Sequence, residues 1–144
     1  MQKRVLISAV CLPLLGAAAA PQQASLHLTF EGLRSQKGSI RLCLWRDPAG
    51  YPDCTRGTGA TKESVPAANP VLDITGLPPG DYAVSAIHDE NDNKKLDKSF
   101  IGMPTEGVAF SNNAKIAFGP PKFEKVRFHV DGETTQTMRM RYFL

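Results

Sequence analysis

The strongest constraint on the fold is an alternation of apolar and polar residues that recurs along the chain from Leu26 onward. Leu26, Leu28 and Phe30 share one face of an extended segment. The same alternation returns over residues 40–45, 82–88, 125–130 and 138–143. A period of two is typical of β-strands that bury one face, and no apolar stripe of helical period competes with it. The sequence therefore predicts a chain built mainly of strands.

Glycine and proline separate these segments and predict how they are joined. GLPPG at 76–80 stands between a short strand at 71–75 and the strand at 82–88, and DGE at 131–133 precedes the last strand. Both turns predict hairpins, and the first two strands are also expected to pair. Between 46 and 70, prolines and glycines are too dense for a long regular element, so this span is interpreted as a connection.

Six or seven short strands joined by such turns predict an all-β fold. We expect an antiparallel β-sandwich, Ig-like or prealbumin-like, of about seven strands with long central loops. A short strand near 108–110 is included in this number. About 125 residues remain after the leader described next, which is enough for one domain, assigned to 20–144.

The N-terminus has the organisation of a secretory signal peptide. Lys3 and Arg4 precede an apolar run that ends in small residues, and cleavage is expected after Ala19 or Ala20, with Ala19 preferred. The run is too short to span a membrane. Removing residues 1–19 lowers the formal charge from +3 to +1, which gives no indication of nucleic-acid binding. The mature protein is therefore expected to be periplasmic or secreted.

Two cysteines remain after the leader, Cys43 and Cys54. An even pair in an exported chain favours one disulfide that closes the loop between them. Two free thiols are the alternative, because Cys43 also fits a buried strand position. The pair alone offers too few ligands for a metal site.

The polar run HDENDNKKLD at 88–97 is similar in spacing to a calcium loop. The possible ligands are Asp89, Asn91, Asn93, the carbonyl of Lys95, and Asp97. However, Lys94 occupies the position of the usual glycine and Phe100 that of the bidentate acid, so an EF-hand is excluded. The alternative is an Asx-rich turn whose side chains bond their own backbone. Calcium is accordingly the one cofactor that the sequence suggests.

The same region suggests two further hypotheses. His88, Asp89, Glu106 and Ser111 include acid, base and nucleophile types, so a hydrolase is one alternative, although no hydrolase motif accompanies them. His88 is interpreted as a strand-end histidine that bonds a carboxylate such as Asp97 or Glu106 rather than a metal.

Three runs together resemble a known family: YAVSAIHDENDNKKLD, IGMPTEGVAFSNNA and FGPPKF. They are similar to an uncharacterised bacterial family of exported proteins, the domain of unknown function 2141. The matching positions are Tyr82, Val84, His88, Asp89, Asn91, Asn93, Leu96, Asp97, Gly102, Pro104, Glu106, Gly107, Phe110, Ser111, Asn112, Asn113, Gly119, Pro120, Pro121 and Phe123. The resemblance implies a small secreted or periplasmic β-domain and brings no known activity. Lys94 departs from the glycine usual in this family's loop.

A second resemblance concerns GLPPGDYAV, which is similar to the L-x-P-G-x-Y turn of transthyretin-like and carboxypeptidase-regulatory β-sandwiches. It implies a fold and no function.

The leading hypothesis is a non-enzymatic extracytoplasmic module, binding or structural, that acts through the loops 89–99 and 102–121. These loops are expected to lie together at one end of the sandwich. Ser111, Asn112 and Asn113, with His88 and Glu106, are the candidate contacts for a polar ligand such as a glycan or peptide. The same side chains could instead bond the long loop to itself.

Overall fold

The computed structural model of the protein describes residues 19–20, 22–54 and 59–144. The predicted signal peptide, apart from its last residue, lies outside the described residues. In the described part the chain forms eight strands in two sheets. The strands are β1 Ala24–Glu31, β2 Ser39–Trp45, β3 Ala60–Pro66, β4 Val71–Leu77, β5 Gly80–Asp89, β6 Gly107–Phe110, β7 Phe128–Val130 and β8 Glu133–Arg139.

The sheets pack face to face, which confirms the predicted all-β sandwich. The smaller sheet has the order β4-β1-β8, and the larger has the order β3-β2-β5-β6, with β7 also beside β5. Most neighbours are antiparallel, but β1 and β8 run parallel, from Ser25 opposite Glu133 to Glu31 opposite Arg139. The first and last strands of the domain are therefore direct neighbours.

The three predicted hairpins are wrong. β1 and β2, β4 and β5, and β7 and β8 each lie in different sheets, so the turns between them cross from one layer to the other. The physical reason is that a tight glycine turn reverses the chain both in a hairpin within one sheet and in a crossing between two sheets. Whether the two strands then pair or face each other depends on where their apolar sides find cover, and the alternation is the same for both outcomes.

The sequence prediction also missed β3, which lies inside the span interpreted as a connection. β3 pairs with β2 from Ser39 opposite Pro66 to Trp45 opposite Ala60. It is an edge strand with the sequence ATKESVP, and within it only Val65 is buried. An edge strand held mainly by backbone hydrogen bonds needs no apolar alternation, so β3 lacks the pattern that marks the other strands.

The last third of the chain is also organised differently from the prediction. Phe123–Val126 form one helical turn, α1, so the strand expected over 125–130 begins only at Phe128. β8 begins at Glu133, earlier than the predicted 138. Its first residues, ETTQT, lack apolar alternation because only Met138 is fully buried in this strand.

Both faces of the larger sheet are covered. The inner face packs on the smaller sheet through a core that includes Leu42, Val84 and Leu28. The outer face carries a second apolar cluster around Trp45, Phe110 and Val126, which connecting segments cover. Successive residues of β5 are therefore buried on both sides, and this arrangement determines the surroundings of the polar residues at the end of the strand.

Candidate functional site

A buried ion pair lies at the end of β5. Asp89 is fully buried, and its Oδ2 lies 2.6 Å from Nε of Arg41 on the neighbouring strand β2. The backbone N–H groups of Asn93 and Lys94 donate to the same carboxylate at 3.0 and 2.8 Å. A carboxylate is stable in such a place only when its charge is compensated and its oxygens are bonded. Asp89 thus fastens the start of the 90–106 segment, the polar loop, to the sheet.

Glu106 fastens the other end of the polar loop. Its buried carboxylate accepts a hydrogen bond from the Glu90 N–H at 3.1 Å and from the Asp97 N–H at 3.0 Å. Burial raises the pKa of Glu106 above its ordinary value, and the two backbone hydrogen bonds act in the opposite direction. Because one side chain bonds both sides of the loop, the loop's conformation depends on Glu106.

A second ion pair joins the polar loop to the connection between β1 and β2. Nε of Arg34 lies 2.9 Å from Oε2 of Glu90, and the Ser35 hydroxyl donates to Oε1 at 2.7 Å. The hydrogen bond with Arg34 lowers the pKa of Glu90. Arg34 also donates to two backbone carbonyl oxygens at 2.8 Å, those of Thr105 and Leu144. The base of the polar loop and the chain near Leu144 are therefore neighbours.

His88 points the other way, into the core between the sheets, and is fully buried. Its Nε2 lies 2.8 Å from the Lys37 carbonyl oxygen, which can only accept, so Nε2 carries the hydrogen. Nδ1 then accepts from the Tyr142 hydroxyl at 2.7 Å. The expectation that His88 bonds Asp97 or Glu106 is therefore wrong. Adjacent strand residues point to opposite faces, so His88 cannot reach the side of the sheet on which Asp89 lies.

This arrangement bears on the hydrolase hypothesis. His88, Asp89 and Glu106 do lie at the same end of the sandwich, but all three are buried, and each has its polar atoms engaged by protein partners. Ser111 is buried beside Val84, farther back along β5. An acid, a base and a nucleophile must meet at a place where a substrate can enter. These four side chains do not meet at such a place.

The predicted calcium ligands form a network among themselves. The side-chain amides of Asn91 and Asn93 donate to the Asp97 carboxylate at 2.7–2.8 Å, which lowers the pKa of Asp97, with Asn93 as the largest cause. The side-chain oxygen of Asn91 accepts from the Asn93 N–H, and that of Asn93 accepts from the Lys95 N–H. These are Asx turns, the second of the two interpretations that the sequence allowed for this run.

Two observations concern metal binding by the polar loop, one in favour of it and one against it. Lys94 adopts φ 66°, the left-handed conformation for which calcium loops use glycine. In the described part of the chain, however, His, Cys, Asp and Glu side chains form no group of three or more that could hold a metal ion. The calcium ligands stay a prediction.

The polar residues that follow β6 bond the chain to itself. The Ser111 hydroxyl donates to the Val126 carbonyl oxygen at 2.5 Å, and Asn112 donates to the Arg127 carbonyl oxygen at 2.9 Å. The Asn113 side chain accepts from the Arg139 N–H at 2.8 Å and donates to the Thr137 carbonyl oxygen at 2.9 Å. It thus imitates a strand partner along the free edge of β8.

A group of exposed apolar side chains at the tip of the polar loop was missed by the sequence analysis. Phe100 has a relative exposure of 101%, and Ile101 and Met103 have 68% and 40%. They lie at the tip of the polar loop, residues 99–103, which we call the apolar tip. The signal in the sequence is the run FIGM, which is apolar and stands between polar residues.

The disulfide prediction is confirmed, because Cys43 and Cys54 are bonded, with their Cα atoms 5.8 Å apart. Disulfides are typical of oxidising, extracytoplasmic compartments. Among the described residues no helix has the length and apolar character that crossing a membrane requires.

Fold and site together define an all-β, two-sheet domain whose long polar loop is held by two ion pairs, one of them with the buried Asp89, and by carboxylate–backbone hydrogen bonds. The chain belongs to the family described as uncharacterized protein conserved in bacteria (DUF2141), whose model matches residues 28–138. No curated protein and no solved structure gives a significant match. The family resemblance seen in the sequence is thus confirmed, and the transthyretin-like turn stays a prediction.

Proposed function

We propose that this protein is an exported, non-enzymatic module of the extracytoplasmic space that binds its partner through the apolar tip of the polar loop. The observation that carries this proposal is the full exposure of Phe100 beside Ile101 on a loop with a fastened base. Phe100, Ile101 and Met103 are exposed side by side, and contiguous apolar patches, unlike single exposed residues, mark interaction sites. Contact residues on loops held by a rigid scaffold are a common arrangement.

The support for rigidity comes from both ends of the polar loop. Asp89 bonds two backbone N–H groups of the loop, and Glu106 bonds two more. Leu96, between them, packs into the apolar cluster on the outer face of the larger sheet. A loop held at three places loses little conformational entropy on binding, which favours affinity.

Support for the extracytoplasmic location comes from the Cys43–Cys54 bond and from the leader-like N-terminal sequence. Location can be tested by fractionating a bacterium that makes the full chain and measuring the mass of the mature protein. We expect a periplasmic or secreted product that begins near Ala20.

The binding proposal can be tested with a photo-crosslinking amino acid at position 100, in the full chain expressed and exported by a bacterium. Thr75, exposed on the smaller sheet, is the matched control position. We expect a discrete adduct, to protein or lipid, from position 100 and none from position 75. Equal labelling from both positions, or none from position 100, would contradict the proposal.

Calcium binding by the polar loop is the second candidate function. What supports it is the left-handed Lys94 and the convergence of two asparagine side chains on Asp97. Arg41 opposes it, because its guanidinium already occupies an oxygen of Asp89. A thermal melt in calcium, magnesium or chelator provides the test. A calcium-specific rise of several degrees that disappears in Asp97→Asn is the expected result, and identical melts would contradict the candidate.

A glycan or peptide site and a hydrolase site have less support. The polar groups of Ser111, Asn112 and Asn113 already bond the protein's own backbone, so a glycan or peptide ligand would have to displace those hydrogen bonds. A hydrolase would need His88 and Asp89 to reach a substrate from fully buried positions. A binding module that uses the apolar tip requires neither change.

A further inference from the structure

The apolar tip is a closed turn that projects its side chains outward. Lys98 and Pro104 form a bridge between the two arms of the turn. Within it the Ser99 N–H donates to the Met103 carbonyl oxygen at 2.8 Å, and the Gly102 N–H donates to that of Ser99 at 2.9 Å. These two hydrogen bonds close the turn and leave the side chains of Phe100 and Ile101 exposed. Each backbone group bonded within the turn is one that needs no water partner in a lipid interface.

Lysines adjoin the apolar tip. Lys94, Lys95 and Lys98 are all exposed on the arm of the polar loop that leads to it. The carboxylates of the same arm have partners in the protein, since Asp92 accepts from the Ser39 hydroxyl at 2.7 Å and Asp97 accepts from the two asparagine amides. The lysine side chains are long and exposed, so they can extend past these carboxylates toward an anionic surface, as apolar stems with charged ends.

We propose that the apolar tip inserts into the interface of an anionic phospholipid bilayer. This inference rests on the proposed function and names its partner. Phe100 and Ile101 enter the boundary between headgroups and acyl chains, and the three lysines contact lipid phosphates. Apolar side chains combined with basic residues are the usual means by which peripheral proteins hold anionic membranes.

The size of the apolar tip decides between a bilayer and a protein partner. Three exposed apolar side chains on a narrow turn offer far less than the roughly 800 Å² per partner that a stable protein interface buries. A bilayer needs no matching surface and takes up apolar side chains singly. The tip therefore fits insertion better than docking.

The test is vesicle flotation with the mature, disulfide-bonded protein. One set of vesicles contains phosphatidylglycerol mixed with phosphatidylcholine, and the other contains phosphatidylcholine alone. We expect the protein to float with the anionic vesicles and to dissociate as salt rises from ~0.05 to ~0.5 M, because screening weakens lysine–phosphate attraction. Binding to both vesicle types with equal strength, or to neither, would overturn the proposal.

Variants then locate the contact. Phe100→Ser combined with Ile101→Ser should weaken partitioning by at least about tenfold, as expected for losing two inserted apolar side chains. Neutralising Lys94, Lys95 and Lys98 to Gln should cost about fivefold for each lysine. The matched control is Phe118→Ser, since Phe118 is equally exposed (110%) on another loop. Partitioning that falls equally in the control would overturn the assignment to the apolar tip.

Folding of each variant is checked by its thermal melt, since surface changes of this kind alter stability by only about 0.5 kcal/mol. The two proposals fail in distinguishable ways. A protein adduct from position 100 without vesicle binding overturns the membrane inference and leaves the binding module standing. Absence of any adduct and of vesicle binding overturns both.

Discussion

Two segments that cover the larger sheet are fastened by different forces. The segment 46–54 is held by the Cys43–Cys54 bond and by Tyr51, whose ring packs edge-on against Trp45 at 5.8 Å and Phe123 at 5.5 Å. The polar loop is held instead by the carboxylates of Asp89 and Glu106. Apolar contact and a covalent bond depend little on pH, whereas ion pairs depend on charge. The two segments should therefore respond to different perturbations.

The largest effect is expected from Asp89→Ala. The change leaves the Arg41 guanidinium, whose side chain is 27% exposed, without its close partner and removes the acceptor of two backbone N–H groups. Breaking a buried ion pair costs about 3–5 kcal/mol of unfolding free energy. Urea unfolding measures this loss of stability, and Asp73→Ala is the control. Asp73 pairs with His27 at the surface, where loss of a pair costs less than about 1 kcal/mol. Equal losses in both variants would show that the buried pair does not support the fold.

The next effect is expected from replacing both Cys43 and Cys54 with Ala. A bridge spanning 11 residues of sequence contributes about 3 kcal/mol, chiefly by restricting the unfolded chain. Hydrogen exchange should rise in 46–54 and stay unchanged at the Asn93 and Lys94 amides, while Asp89→Ala should give the reverse pattern. If hydrogen exchange rose in both segments in either variant, the two segments would not be held independently.

A smaller effect, dependent on pH, is expected from Glu90→Gln. Loss of the charged hydrogen bond to Arg34 should cost about 2 kcal/mol at neutral pH. Since the folded state lowers the pKa of Glu90, the unfolded chain takes up the proton first as pH falls below the ordinary value of 4.5, and stability declines. The variant should show a shallower acid decline in urea unfolding from pH ~6 to ~3. An unchanged slope would contradict this role of Glu90.

Glu106 should have the opposite effect on the pH dependence of stability. Its folded-state pKa is raised, so the folded protein takes up that proton first and its contribution to stability grows as pH falls. Glu106→Gln should therefore make the acid decline steeper than in the unchanged protein. The variant without the disulfide should keep the original slope, because that fastening involves no titrating group.

The smallest effect is expected from Asn113→Ala, which removes two hydrogen bonds to the edge of β8. Because these groups can bond water when the side chain is removed, the loss should be about 1 kcal/mol. Thr135→Ser, at an exposed position of the same strand, is the control and should stay within about 0.5 kcal/mol. A loss as large as that of Asp89→Ala would show that the edge of β8 is more important than the polar loop.

Part of the candidate site was visible in the sequence. The spacing of Asp89, Asn91, Asn93 and Asp97 indicated side chains that turn back on one loop, and they do so. Their partners were not visible, because Arg41 lies on another strand and meets Asp89 only through the pairing of β2 with β5. The exposure of Phe100 was hidden for the same reason, since an apolar residue in a sequence does not show whether the fold covers it.

The sequence by itself determined which stretches become most of the strands, since period-two alternation and turn residues act locally. It also favoured the Cys43–Cys54 bond, since residues 20–144 contain one pair of cysteines. The tertiary structure decided which strands pair, which turns cross between layers, and which polar and apolar side chains stay at the surface. These outcomes depend on burying both faces of the larger sheet at once, and that is a property of the packed molecule rather than of any segment.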